Sequence, residues 1–149
     1  MTTMVLCDTN IWLALALSGH RHHVVARDWL DSVSDQTSIW FCRSTQQSLL
    51  RLLSTTQVLS AYGRPPLTNS EAWQVYQTFT SDDRISLRIS EPTGLDSLWQ
   101  QISAGNRASP KLWMDAYLAA FAIAADCELV TIDQGYQQFD GLKLRLLAS

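Results

Sequence analysis

Apolar and polar positions along the chain switch repeatedly between two periods. Residues 4–7 form a short apolar run (Met4-Val5-Leu6-Cys7) of the length of a buried strand. Residues 11–17 then read as a short helix stopped near Ser18-Gly19. Val25, Ala26, Trp29, Leu30 and Val33 recur at helical spacing over 22–33. A second strand is expected over 38–42, and Ser44 precedes a helix whose apolar stripe is Leu49, Leu50, Leu52 and Leu53. After the Gly63-Arg64-Pro65-Pro66 loop, Thr68 and Glu71 have the spacing of a capping box, which opens a helix to about Phe79. Residues 85–89 alternate as a third strand that Pro92 ends, and Leu95, Leu98, Trp99 and Ile102 mark another helix. Ser109-Pro110 predicts a helix start, with Ser109 as cap, running to about Asp126. Residues 129–132 are a fourth strand and 142–147 a fifth at a sheet edge. Strands alternating with helices predict an α/β fold with a mainly parallel sheet of four to five strands.

Composition narrows the class. The chain has 149 residues, enough for one domain over 1–149 with a core of its own, and no internal repeat or linker divides it. A net charge of −3 argues against holding nucleic acid by bulk electrostatics, though not against a nuclease with a local basic rim. Cys7, Cys42 and Cys127 are an odd set without C-x-x-C spacing, expected as buried reduced thiols. No apolar run approaches the ~20 residues of a membrane span, and no signal peptide pattern is present, so a cytoplasmic protein without membrane contact is expected.

The candidate chemistry is acidic. Asp8 follows the first strand, where an open α/β sheet presents its ligand site; it could equally cap the next helix. Asp133 follows the fourth strand in the same way, sharing a face with Thr131 at period two, against the alternative of a plain Asp133-Gln134-Gly135 turn. Asp115 lies in the second turn counted from Ser109, within a stretch apolar almost all round and so expected to be buried. A carboxylate there needs a partner: either a salt bridge, with Lys111 or Arg107, or a metal. Three acids brought together repel one another, which a hard divalent cation relieves.

Other sites are poorly supported. No G-x-G-x-x-G follows the first strand, which argues against a dinucleotide site. Asn10 stands where an aspartyl phosphatase would want its second acid. His20, His22 and His23 read as solvated loop residues, and no nucleophile-elbow motif supports a Ser-His-Asp triad. The tryptophans are spread over separate elements, most of them as core or partner surface rather than a stacking platform.

The segments Val5-Leu6-Cys7-Asp8-Thr9-Asn10, Asp115-Ala116-Tyr117-Leu118-Ala119-Ala120 and Leu129-Val130-Thr131-Ile132-Asp133, in that order, resemble the PIN-domain ribonucleases, and among them the VapC-type toxins of toxin–antitoxin modules. Thr45-Gln46-Gln47 at the start of its helix also looks like a subgroup of these toxins. The resemblance implies a PIN-like three-layer sandwich and a Mg²⁺- or Mn²⁺-dependent endoribonuclease. It implies Asp8 and Asp115 as principal metal ligands, and Asp133 as holder of a metal-bound water or a second ion. Thr9 and Asn10 would tune the groups around the ion, and Thr131 would orient an acid. A homodimer and a cognate antitoxin are implied as partners, with RNA as substrate. The sequence departs from the family at one place. The usual glutamate after the second strand is missing: Gln46, Gln47 and Ser48 occupy that neighbourhood, and no acid lies between Asp35 and Glu71. Gln46, or Gln47 if the helix register shifts by one, would stand in by its carbonyl oxygen. Two other readings stay open: a PIN-like nuclease acting on another RNA or on structured DNA, and a PIN fold weakened into a binding module.

Overall fold

The computed structural model describes residues 3–147. Its elements run β1 (Thr3–Cys7), α1 (Thr9–Ala16), α2 (His23–Ser32), β2 (Thr37–Cys42), α3 (Arg43–Leu53), α4 (Thr56–Ser60) and α5 (Asn69–Thr80). They continue with β3 (Ile85–Arg88), α6 (Leu95–Ser103), α7 (Leu112–Ala124), β4 (Glu128–Thr131), a 3-10 turn over Gln134–Gln138, and β5 (Leu144–Leu146). The strands form one sheet in the order β3-β2-β1-β4-β5, and every pairing is parallel. The chain lays β1, β2 and β3 outward in one direction, then crosses back to place β4 on the other side of β1. The crevice between the carboxyl ends of β1 and β4 is therefore where the winding reverses, the place an open α/β sheet leaves free for a ligand.

Both faces of the sheet are covered, as the three-layer expectation requires. Side chains alternate along β1: Val5 and Cys7 join a core with Trp12, Trp29, Leu49 and Tyr76 from the helices α1 to α5. Leu6 points the other way, into a core with Leu95 of α6, Leu118 and Phe121 of α7, and Tyr136 and Phe139. A sheet buried on both sides explains why its strands read as continuous apolar runs. The Thr68–Glu71 capping box is formed in both directions. Cys7, Cys42 and Cys127 are free and buried. Among the described residues no helix is long and apolar enough to cross a membrane.

Several boundaries move. The largest correction concerns α7: Ser109-Pro110 does not open it. Ser109 only accepts a turn hydrogen bond from the Leu112 N–H, the cap position is Lys111, and Asp115 falls in the first helical turn. Nor is that turn buried, since Trp113 is 57% and Met114 51% exposed; the apolar faces close only from Ala116 onward. The helix after β2 starts at Arg43 rather than beyond Ser44, because Thr45 Oγ1 accepts from the Cys42 N–H and donates to the Cys42 carbonyl, closing the end one residue early. The short α4 and the 3-10 turn are too brief to leave a period in the sequence.

Candidate active site at the carboxyl edge of the sheet

Asp8 continues the β1 ladder, its N–H donating to the Val130 carbonyl at 2.9 Å, and then leaves the strand as the cap of α1. Its Oδ1 accepts from the Thr9 N–H at 2.7 Å and its Oδ2 from the Thr131 hydroxyl at 2.8 Å. The cap is formed, and the capping side chain also stands at the carboxyl edge of the sheet. It is only 9% exposed, and among the described residues no ion pair joins it to a cation. Burial pushes its carboxyl up to about 6, with Asp115 and Asp133 adding to the rise and the Thr131 and Thr9 hydrogen bonds working against it.

Thr131, fully buried at the end of β4, ties the site together. Besides donating to Asp8, its oxygen accepts from Asn10 Nδ2 at 3.2 Å and from the Asp133 N–H at 3.0 Å. One hydroxyl therefore fixes an acid of β1, an amide of α1 and the turn after β4. Asp133 lies past the end of the strand, exposed, and its Oδ1 accepts from the Gly135 N–H at 2.8 Å. The turn is formed, and the carboxylate it carries stands at this same edge of the sheet.

Asp115 arrives from the opposite layer. Among the described residues it makes no salt bridge; instead Tyr136 donates its hydroxyl to Asp115 Oδ1 at 3.1 Å. Its carboxyl is raised by burial and by Asp133, and held down by the Tyr136 hydrogen bond and by Lys111. Tyr136 is 1% exposed and its phenol is pushed far up by burial and by the surrounding acids, so it keeps the proton it donates to Asp115. Sequence reasoning missed Tyr136. The one available signal was an aromatic three residues beyond Asp133, on a turn with no apolar period around it.

Gln46 is placed differently. It is buried while Gln47 is exposed, so the helix register turns Gln46 inward. Its Oε1 accepts from Arg43 Nη1 at 2.7 Å, and no hydrogen bond connects it to Asp8, Asp115 or Asp133. The structure therefore brings together Asp8, Thr9, Asn10, Thr131 and Asp133, adds Asp115 through Tyr136, and leaves Gln46 engaged elsewhere.

The donor set is all oxygen, which suits a hard divalent cation. Among the described residues no group of three or more His, Cys, Asp or Glu side chains is gathered tightly enough to hold a metal by itself. Mg²⁺ does not need such a cage. It keeps several waters and takes one or two carboxylates plus substrate phosphate oxygens. Carboxylates raised by burial and mutual repulsion are the electrostatic condition a cation relieves, so these residues fit such an ion.

The PIN domain family model matches residues 5–142. This chain belongs to the PIN-domain family. It is 58% identical over 145 residues to Ribonuclease VapC41 of Mycobacterium tuberculosis, covering 97% of this chain and 99% of that protein. It is 30% identical to Ribonuclease VapC29 of the same organism, over 92% of this chain and 91% of that one. Its PIN fold is also seen in the structure of VapBC2 from Rickettsia felis bound to a promoter DNA fragment. The TM-score there is 0.64 at 12% identity, over 98% of this chain and 100% of that chain. The same holds for the Mycobacterium tuberculosis toxin VapC20, which cleaves the sarcin-ricin loop: TM-score 0.61, 14% identity, 93% and 98% covered. At those identities the structural likeness concerns the fold. The VapC group of PIN ribonucleases is where the sequence itself places the chain.

Proposed function

We propose that this chain is a metal-dependent endoribonuclease of the VapC type: a single-domain toxin that hydrolyses RNA phosphodiester bonds and is restrained by a cognate antitoxin. The observation that carries the reading is Asp8. It is a buried carboxylate without a cation, hydrogen-bonded to Thr131 where the sheet reverses, with Asp115 and Asp133 close enough to raise it. The 58% identity to a protein named as a ribonuclease supplies the reaction class.

Asp8 and Asp115 would hold a Mg²⁺ or Mn²⁺ ion. Such an ion, when bound, acidifies a water and offsets negative charge developing on the phosphodiester. The protein's own part is orientation. Thr131 keeps Asp8 ionised and fixed against α1, Tyr136 holds one oxygen of Asp115 and leaves the other free, and Asn10 braces Thr131. Thr9 contributes the backbone N–H that Asp8 caps. Exposed Asp133 stands at the mouth, where it would orient water or a second ion. Gln46, its oxygen held by Arg43, would not offer that oxygen to the ion.

A homodimer in the cytoplasm completes the reading. It is supported by the family resemblance, by apolar side chains open to solvent such as Trp73 and Ile89, and by buried thiols free of disulfides. The chemistry is tested by incubating the purified chain with total RNA and with single-stranded DNA in Mg²⁺, in Mn²⁺ and in chelator. Internal cleavage of RNA alone, only with the cations, is expected. Cleavage that survives chelation, or is lost from RNA and kept on DNA, contradicts it. Sedimentation showing only monomer at high micromolar concentration would remove the dimer.

A further inference from the structure

Cations are distributed unevenly over the two edges of the sheet. Of the four ion pairs among the described residues, three hold an acid at the amino side of a strand: Asp82 before β3, Asp126 before β4, and Glu128 as the first residue of β4. The fourth lies on α2. None reaches the carboxyl edge, although Arg43, Arg88 and Lys111 stand there. Glu91, the acid that follows β3, accepts from the Tyr117 hydroxyl rather than from a cation. Arg88 lies over the Trp40 ring, 4.6 Å from its centroid, and donates to the Ser90 carbonyl. Arg43 and Lys111 remain, both exposed.

These two cations approach the acids from opposite layers. β1 and β2 are neighbours with Leu6 opposite Trp40, so Arg43, the residue after β2, leaves the sheet beside the Asp8–Thr9 step. Its helix α3 packs into the core of Trp12 and Tyr76 through Leu49 and Leu53. Lys111 stands at the cap of α7, whose Leu118 and Phe121 belong to the other core. It is one helical turn before Asp115, near enough to lower that carboxyl without pairing with it. Arg43 Nη1 donates to Gln46 Oε1 at 2.7 Å. A neutral amide fixes the direction of the guanidinium and leaves its charge and its other N–H groups unspent. The helix gains nothing from an arginine here. A cation at the first residue faces the positive end of the helix dipole, and the first turn holds no acid to offset it.

We propose that Arg43 and Lys111 hold the RNA phosphates on either side of the scissile one, and that Gln46 is the positioning residue that aims Arg43 without neutralising it, an assignment that rests on the endoribonuclease reading above. The RNA backbone then crosses the carboxyl edge from one layer to the other. The chain carries a net charge of −3, which supplies no bulk attraction, so local cations must hold the strand. A guanidinium with open N–H groups suits a phosphate in particular. RNA is favoured over an acidic protein segment because the acids lie between the two cations. The middle of three phosphates meets the ion held at the acids while its neighbours meet Arg43 and Lys111.

The test uses a single-stranded oligoribonucleotide that wild type cleaves in Mg²⁺, with binding read in chelator across a salt series. Arg43→Ala and Lys111→Ala should each flatten the slope of log affinity against log salt by about 0.7, the share of one single-strand phosphate, and the double variant by about twice that. In Mg²⁺ each should raise KM severalfold with kcat nearly unchanged, as a contact made equally before and during the reaction does. Arg43→Lys, which keeps the charge, should keep the slope. Arg145→Ala, which removes an ion-paired cation, should change neither slope nor KM. Gln46→Glu should weaken binding as Arg43→Ala does, and the two should not add, since both remove the same free charge. Wild-type slopes in Arg43→Ala and Lys111→Ala overturn the assignment. If those variants instead lose a poly-glutamate peptide that wild type binds, the cations serve an acidic protein segment. Full additivity of Gln46→Glu with Arg43→Ala overturns the positioning role of Gln46. If wild type cleaves no RNA in Mg²⁺ or Mn²⁺, the endoribonuclease reading itself falls, and this assignment with it.

Discussion

Two aspartates at opposite edges of the same sheet show what each edge is for. Asp82 precedes β3 at the amino edge and is gripped by Arg84 through both oxygens, Nε to Oδ1 at 3.0 Å and Nη2 to Oδ2 at 2.7 Å. Arg84 also donates to the Leu30 and Val33 carbonyls, which closes the end of α2. Its carboxyl is held below the ordinary value, first by the Arg84 hydrogen bond. Asp8, at the carboxyl edge, is the more deeply buried, has no cation, and is raised to about 6. One acid is satisfied by the fold. The other carries its carboxylate against its surroundings, which is the condition expected of the working site proposed above.

Breaking each member of the pair should give opposite outcomes. Asp8→Asn should lower RNA cleavage about a thousandfold or more, because it removes a charge that would hold the ion. Single-turnover assays in Mg²⁺ check this; near wild-type cleavage would show that Asp8 is only a helix cap. Arg84→Ala should leave the cleavage step intact but cost about 2–4 kcal/mol of stability, since it strands a carboxylate and two carbonyls at once. Urea unfolding measures this loss, and a change within about 0.5 kcal/mol would mean the pair is an ordinary surface contact.

Tyr136→Phe sharpens the comparison on the functional side. The Asp115 carboxylate loses its one hydroxyl partner while the ring and its packing stay, so kcat should fall roughly tenfold with stability changed by about 1 kcal/mol or less. A fall in stability with full activity would reverse the assignment of Tyr136 from the site to the core. The smallest effect is in pH. Because the folded carboxyl of Asp82 lies below its unfolded value, its contribution is present above the unfolded range near 3.8 and is lost as pH falls through the folded value. The stability difference between wild type and Asp82→Asn should therefore be full at neutral pH and shrink below about pH 4. A difference that stays constant across that range would exclude the ion pair as its source.

What was legible in the chain follows from the range of the interactions involved. β1, β2 and β4 were visible because a sheet covered on both faces leaves nearly uninterrupted apolar runs, β3 was visible by its alternation, and Asp8 and Asp133 were visible because they end such runs. The Thr68–Glu71 box was visible because both its bonds lie within four residues. The start of α7 was misplaced because Ser109-Pro110 offers strong local start chemistry and the chain uses it for a turn instead. The exposure of Trp113 and Met114 was hidden for a related reason: composition shows that a turn is apolar but not whether another layer reaches over it. Tyr136 reaches Asp115 across twenty-one residues of sequence, and the grip of Arg43 on Gln46 depends on the rotation of α3. Neither leaves a periodic trace.

On the reading proposed above, the carboxyl edge is charged at the expense of stability so that it can bind a cation. Thermal unfolding of wild type and Asp8→Asn, each with chelator and with millimolar Mg²⁺, tests it directly. In chelator the Asn variant should melt higher than wild type, by an amount corresponding to at most about 3 kcal/mol, because a buried carboxylate without a counter-charge has been neutralised. Mg²⁺ should then raise the melting temperature of wild type and leave the variant where it was. A variant that melts lower than wild type in chelator, together with a wild type indifferent to Mg²⁺, would contradict the account: Asp8 would then serve the fold just as Asp82 does.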